Sequence, residues 1–223
     1  MLTLTYTEEN YIKALYTIQY RNDTGEVSVN EIAERMQTRP ATVTDMFKKL
    51  SEKALINYEK YKKVQLTEAG EKIALSILRK HRLWETFLCN KLNFSWDEVH
   101  EVAEQLEHIQ SEKLIDKLDE FLEFPEYDPH GDPIPKHNGD MPLTTAVPLA
   151  DIAENTVCKF VAVNDTSSAF LQQLERFNLQ IGAVLTITER MPYDNSLWVT
   201  DKKGHSFQLS EKIASNISAV AYR

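Results

Sequence analysis

Apolar side chains recur at helical spacing through roughly the first half of the chain and then give way to short alternating runs. Residues 7–20, TEENYIKALYTIQY, open on a threonine cap and first-turn acids, then present Tyr11, Leu15 and Ile18 as one stripe, which predicts a helix. After RNDTG, the residues Val29, Ile32, Ala33 and Met36 repeat at the same spacing. A short turn, QTR, leads into a third predicted helix that begins at Pro40, a residue suited to a first helical position. Its buried stripe is Val43, Met46, Phe47 and Leu50. Two short helices joined by so short a turn have helix-turn-helix spacing. The following LINYEKYKKVQLTEAG alternates as a hairpin does.

From residue 68, EAGEKIALSILRKHRLWETFLCNKL predicts one long helix with Ala74, Ile77, Leu78 and Leu88 on its apolar side. His81 and Glu85 stand four apart and share a face. SWDEVHEVAEQLEHIQSEKLIDKLDEFL predicts a second long helix, uninterrupted and capped by Ser95 with an acid three residues on. Within it, HEVAEQLEH places His100, Glu104, Glu107 and His108 inside an arc of about 100°. A solvated helix face is the plain reading. The alternative is a metal site, because imidazoles and carboxylates crowded on one face repel unless neutralised and suit Mn²⁺, Fe²⁺, Co²⁺ or Zn²⁺. Periodicity leaves both open.

HGDPIPKHNGDMP is a turn-dense linker. Beyond it, LADIAENTVCKFVAVND, AVLTITERMPYD, SLWVTDKKGHSFQLS and SNISAVAYR predict short strands of a small barrel, with SSAFLQQLERFN as the single helix. The expected fold is therefore mainly α with a β-rich tail. It divides into a winged-helix domain over 1–73, a helical domain over 74–140 and a small barrel over 141–223.

Charge sharpens this division. The chain carries a formal net charge of −9, which by itself argues against a nucleic-acid partner. Residues 74–140, however, hold 15 acids against 7 bases, whereas residues 36–66 hold 7 bases against 3 acids. Cations as partners of the acidic 74–140 and a polyanion as partner of the basic 36–66 would fit. The outer face of the third helix carries Arg39, Pro40, Ala41, Thr42, Thr44, Asp45, Lys48 and Lys49, small, hydrogen-bonding or cationic groups suited to base edges and phosphates. The hairpin tip adds Lys60, Lys62 and Lys63, as a wing along the phosphate backbone needs. Double-stranded operator DNA is the expected partner. The two long helices beside the DNA-binding head suit a homodimer matched to a palindromic site.

Several classes are not expected. No run of 18 apolar residues suggests a membrane span, and MLTLTYTEEN lacks the features of a signal peptide, so a cytoplasmic location is expected. Cys89 and Cys158 match no CxxC spacing. HExxH, GxSxG, P-loop and GxGxxG motifs are missing from the sequence, and neither His81 nor His108 follows a glutamate at the Glu-x-x-His spacing of di-iron bundles, so an enzyme is not expected.

The winged-helix pattern followed by RKHRLWE, HEVAEQLEH and FPEYDPHGDPIP resembles the diphtheria-toxin-repressor and manganese-repressor family of metal-activated transcriptional repressors, most nearly its longer streptococcal-type manganese regulators. The likeness runs essentially the whole chain. It implies an SH3-like C-terminal barrel and a first metal site of Asn10, His81, Glu104, Glu107 and His108. A second site would comprise Glu85, Asp128, His130 and Asp165, with His100 as an ancillary ligand. Glu104 stands where iron-responsive members have cysteine, and Asp128 replaces a cysteine of the streptococcal members, so the resemblance implies Mn²⁺, with Fe²⁺ as the alternative. Asn10 offers a neutral amide where Asp or Met is usual. Lys13 takes the place of a second glutamate of some manganese members, which removes their two-metal cluster. Metal is expected to tie the N-terminal helix to the long helices through Asn10, while clustered carboxylates without it repel.

Overall fold

The computed structural model describes residues 3–21, 25–59, 63–143 and 145–221, which form two compact units. Lys60 and Lys62 of the wing tip lie outside the described residues. The first unit takes in Met1–His81, Glu104–Glu112 and Pro135–Asp140. It begins with α1 (Tyr6–Arg21), α2 (Val29–Arg35) and α3 (Pro40–Glu52). The helix starts explain themselves locally. Thr5, rather than Thr7, caps α1, its backbone N–H donating to Glu8 at 2.8 Å while Glu8 donates back to its hydroxyl at 3.3 Å. Ser28 and Glu31 make the same reciprocal box at α2, at 2.7 and 3.2 Å. Pro40 stands at the start of α3, where a missing N–H costs nothing.

Ile12 and Leu15 of α1 share one core with Ile32 of α2 and Val43, Phe47 and Leu50 of α3. α1 is thus part of the helix-turn-helix body, and moving it moves α3. Strands β1 (Ile56–Asn57) and β2 (Gln65–Leu66) pair antiparallel with Ile56 opposite Leu66, and a bridge from Val27 to Val64 adds a third strand position. Then comes α4 (Glu68–Leu92), over the span its pattern predicts. A Cβ on Gly70 would stand 2.1 Å from the Leu55 carbonyl oxygen, so only glycine lets the helix start against the wing.

The second long helix is not continuous. It is α5 (Val99–Leu106) and α6 (Glu112–Phe121), separated by a turn over 107–111. Glu107 and His108 therefore leave the helix instead of sharing its face with His100 and Glu104. The turn carries no proline or glycine. What holds it is the set of side-chain contacts made by Glu107, His108 and Gln110 described below, together with a start for α6 at Ser111 and Glu112 of the residue types that favour one.

The second unit, Arg82–Ala103, Lys113–Ile134 and Met141–Arg223, contains the C-terminal sheet. Its strands are β3 (Val147–Pro148), β4 (Val157–Val163), β5 (Val184–Arg190), β6 (Leu197–Asp201), β7 (Ser206–Leu209) and β8 (Ile217–Ala221). They lie antiparallel in the order β3-β8-β4-β5-β6-β7. This is the small barrel the alternation predicts and the SH3-like fold the resemblance implies, with α7 (Ser168–Arg176) where a helix is expected and a further short α8 (Glu211–Ser215). Its core joins Phe160, Leu171, Leu174, Ile187, Val199 and Leu209. β4 buries Cys158 and Phe160, then, after a register shift between Phe160 and Ala162, Val163. Among the described residues, no helix is long and apolar enough to cross a membrane.

Candidate metal centres and nucleic-acid interface

In the first unit His81, Glu104 and Glu107 bring ligand atoms within 4.8 Å of one another. Three parts of the chain supply the site: α1, α4 and the end of α5 with its turn. Glu107 is fully buried and lies 2.6 Å from His81 Nδ1 through Oε2. His108 follows, with Nε2 3.9 Å from Glu107 Oε1 and Nδ1 against Glu9 Oε2. The other Glu9 oxygen accepts from Gln110 Nε2 at 2.8 Å. Glu9 thus holds the His108 ring with Nε2 turned towards Glu107, the outer carboxylate arrangement that orients metal-binding imidazoles. Tyr6 stacks on the His108 ring at 4.5 Å between centroids.

Lys13 alters the electrostatics expected for this cluster. Its Nζ lies 2.6 Å from Glu104 Oε1 and 2.8 Å from Glu107 Oε2. Glu107 Oε1 is 2.7 Å away but off the hydrogen-bonding direction, so that contact is electrostatic only. The carboxylates are bridged by an ammonium rather than left to repel. Nearby Lys80 is pushed below its ordinary pKa by burial, opposed by the charges of Glu9, Glu107 and Glu112.

Sequence reading missed Glu9, and gave Lys13 only the role of removing a second metal. Tyr6, Glu9, Asn10 and Lys13 fall at i, i+3, i+4 and i+7 on α1, so a polar stripe was legible, but first-turn acids are equally a helix-start signal.

The donors suit a divalent cation. Asn10 Oδ1 is a buried oxygen with no hydrogen-bond donor among the described residues, and a buried acceptor left unfilled is costly. Imidazole nitrogens with carboxylate and amide oxygens, free of any thiolate, match hard to borderline ions.

In the second unit Glu85, Asp128 and His130 likewise bring ligand atoms within 4.8 Å of one another, and all three are buried. Glu85 comes from α4. Asp128 and His130 come from a tight loop closed by a bridge between Tyr127 and Pro133 and by Ile134 N–H donating to the Glu126 carbonyl at 2.9 Å. Asp128 Oδ1 accepts from the backbone N–H groups of His130 and Asp132 at 2.8 and 2.9 Å. Arg82 anchors the loop to α4, donating to the Pro133 carbonyl and lying 3.8 Å from Asp128 Oδ2. His130 Nδ1 faces Glu85 Oε2 at 3.7 Å, and His100 Nδ1 lies 3.3 Å from Glu85 Oε1.

Burial, reinforced by Glu85 and Asp132, pushes the Asp128 carboxyl up to about 8 against the pull of Arg82 and His130. Burial pulls the other way on His130, but its bond to Glu85 and the charges of Asp128 and Glu85 win and raise it to about 9. Asp165 is not among the converging groups; it accepts from Ser167 N–H at 2.8 Å ahead of α7.

On α3, the residues Arg39, Pro40, Ala41, Thr42, Asp45, Lys48 and Lys49 are exposed and Thr44 is half-buried. Asp45 and Lys48 pair at 2.9 Å. Lys63, at the described edge of the wing, lies 3.6 Å from Glu26.

Comparison with known proteins matches residues 3–64 to the family model for the N-terminal DNA binding domain of iron dependent repressors. Residues 67–136 match the metal binding and dimerisation domain of the same repressors, and residues 147–220 match the FeoA domain. A solved manganese-dependent transcriptional repressor in complex with manganese is 32% identical with a TM-score of 0.87, covering 96% of this chain and 100% of that one. The chain belongs to the iron-dependent repressor family of metal-dependent transcriptional regulators. The solved structure of the manganese regulator SloR is 33% identical with a TM-score of 0.77, covering 96% of this chain and 98% of that one. The iron-dependent repressor IdeR of Mycobacterium tuberculosis is 32% identical over 135 residues, 60% of this chain and 58% of that protein. The match thus spans less than two thirds of that relative.

Proposed function

We propose that this chain is a manganese-activated, homodimeric repressor that binds operator DNA of metal-uptake genes in the cytoplasm. The observation that carries the reading is the composition of the two clusters: His81, Glu104 and Glu107 in one, Glu85, Asp128 and His130 in the other, all nitrogen and oxygen donors. With Asn10 and His108 added to the first, and His100 beside the second, both are hard enough to disfavour thiophilic ions. In this reading 1–73 is the DNA-binding domain, 74–140 the dimerisation and metal-binding domain, and 141–223 the SH3-like domain.

A bound divalent ion would be held by His81, Glu104, Glu107, His108 and Asn10, and would supply the positive charge that Lys13 supplies to Glu104 and Glu107 here. The residues of the chain do the rest. Asn10 and Glu9 carry the state of the first cluster into α1, and α1 shares its core with α3. Arg39, Pro40, Ala41, Thr42, Thr44, Asp45, Lys48 and Lys49 read the major groove, while Lys60, Lys62 and Lys63 contact phosphates. Metal then favours DNA binding only by favouring the arrangement of α1 that DNA also favours, so operator raises metal affinity by the same factor.

The test is selection of operator sequences from a random duplex library by the purified protein in chelator, Mn²⁺, Zn²⁺ or anaerobic Fe²⁺. Enrichment of a palindrome with Mn²⁺ and its loss in Glu104→Ala support the reading. Equal enrichment in chelator overturns it, and enrichment with Fe²⁺ alone replaces manganese by iron.

A further inference from the structure

We propose that Lys13 is a built-in competitor of the metal: its ammonium and a divalent ion contend for the same oxygens of Glu104 and Glu107. This rests on the reading of that cluster as a metal centre. The geometry leaves little room for sharing. Nζ stands 2.6 Å from Glu104 Oε1 and 2.7 and 2.8 Å from the two Glu107 oxygens. An ion bound to both carboxylates, at the roughly 2.0–2.2 Å typical of first-row metals, would lie in the same gap, too close to an ammonium.

Solvent does not soften the conflict, since the Lys13 side chain is only 13% exposed and that of Glu107 not at all. Charge points the same way. Two carboxylates balance one divalent ion, and an ammonium left in place would add a buried, uncompensated charge. The flexible four-carbon stem of lysine allows departure without moving the backbone.

Exchange also has a consequence for α1. Before it, α1 is held to α5 and its turn through Lys13 and through the Glu9–His108 contact. After it, the Lys13 tie is gone and the Asn10 amide oxygen can find its cation. The helix is therefore anchored in both states, by different residues. Lys13 sets the metal concentration at which the tie changes hands, so the first centre answers only to metal abundant enough to outcompete an internal cation.

The experiment uses the full-length protein with MnCl₂ as probe. Calorimetry measures Mn²⁺ binding to wild type, Lys13→Met, Lys13→Arg and Glu107→Ala, and thermal unfolding in chelator reports the metal-free fold. Competition predicts that Lys13→Met lowers the unfolding midpoint in chelator yet binds one Mn²⁺ about tenfold more tightly, the effect of removing a competitor present about ten to one. Lys13→Arg stays near wild type. Lower stability with unchanged or weaker Mn²⁺ affinity overturns the proposal and makes Lys13 a structural clamp. A Glu107→Ala titration identical to wild type would instead sink the first metal centre itself.

If Lys13→Met does not fold, reductive methylation of the wild type, mapped by mass spectrometry, decides. Lys13 should be protected in chelator and become reactive with Mn²⁺; unchanged labelling overturns exchange.

Discussion

His130 Nε2 lies 2.7 Å from the backbone carbonyl of Trp96 and the two rings of these residues stack at 6.3 Å. A carbonyl only accepts, so Nε2 carries a proton and Nδ1 is the nitrogen turned to Glu85. That tautomer is the one able to ligate through Nδ1, and its orientation is set by the backbone rather than by a side chain that mutation removes.

Proton release should follow. Burial raises Asp128 to about 8, and against burial the carboxylates of Glu85 and Asp128 raise His130 to about 9, so the pair shares a proton at neutral pH that a bound metal must displace. Both groups are raised above their unfolded values, so they stabilise the fold at low pH and that contribution is lost as pH rises through about 8 and 9. Metal should reverse the loss, and its stabilising effect should grow with pH over that window. Calorimetry of Mn²⁺ binding in buffers of different ionisation enthalpy checks this; heats independent of buffer would remove the proton shared by Asp128 and His130 from the account.

Gly131 ties the second centre to the sheet. Its φ is +83°, and a Cβ there would stand 2.0 Å from the Val161 carbonyl oxygen and 2.6 Å from Ala162. The register shift of β4 lies at this point, and Val163 N–H donates to the His130 carbonyl at 2.9 Å. Gly131→Ala should cost about 1–3 kcal/mol from backbone strain alone and weaken metal binding at the second centre without touching a ligand. Urea unfolding with and without Mn²⁺ reads both; a variant of wild-type stability would mean the loop sits elsewhere.

Glu104 and Glu107 should fail differently. Removing Glu107 leaves Lys13 and His81 without their buried partner, at a cost of about 3–5 kcal/mol in chelator. Glu104 is 34% exposed, and Glu104→Ala should cost no more than about 1 kcal/mol while still abolishing the metal response of DNA binding. Equal destabilisation in denaturant titrations would contradict the contact pattern.

Lys49 is exposed on the outer face of α3, beside the Asp45–Lys48 pair. Lys49→Ala should weaken binding to every duplex alike and reduce the slope of log affinity against log salt by about one unit. Binding assays between low and moderate salt test it, and an unchanged slope takes Lys49 off the phosphates.

Much of this protein was legible in local pattern. The spans of α1, α3 and α4, the buried stripe through Val43, Phe47 and Leu50, and the alternation of the C-terminal strands all follow from side-chain spacing, because each depends on which face of one element is apolar. His81, Glu85, His100, Glu104, Glu107 and His108 stand out at helical spacing for the same reason, whereas Asn10, Asp128 and His130 were implied only by the family resemblance. Three features were decided only by tertiary structure.

The helix predicted through residues 107–111 breaks although nothing local forbids it, because Glu107 meets His81 across 26 positions and His108 meets Glu9 across 99. Glu9, which reads as a helix-start acid, became the orienting partner of His108. Lys13 became the cation between two glutamates more than 90 positions away. Periodicity records the preferences of one element against water, whereas the pairing of buried charges depends on which elements the core brings together, and no window along the chain contains both partners.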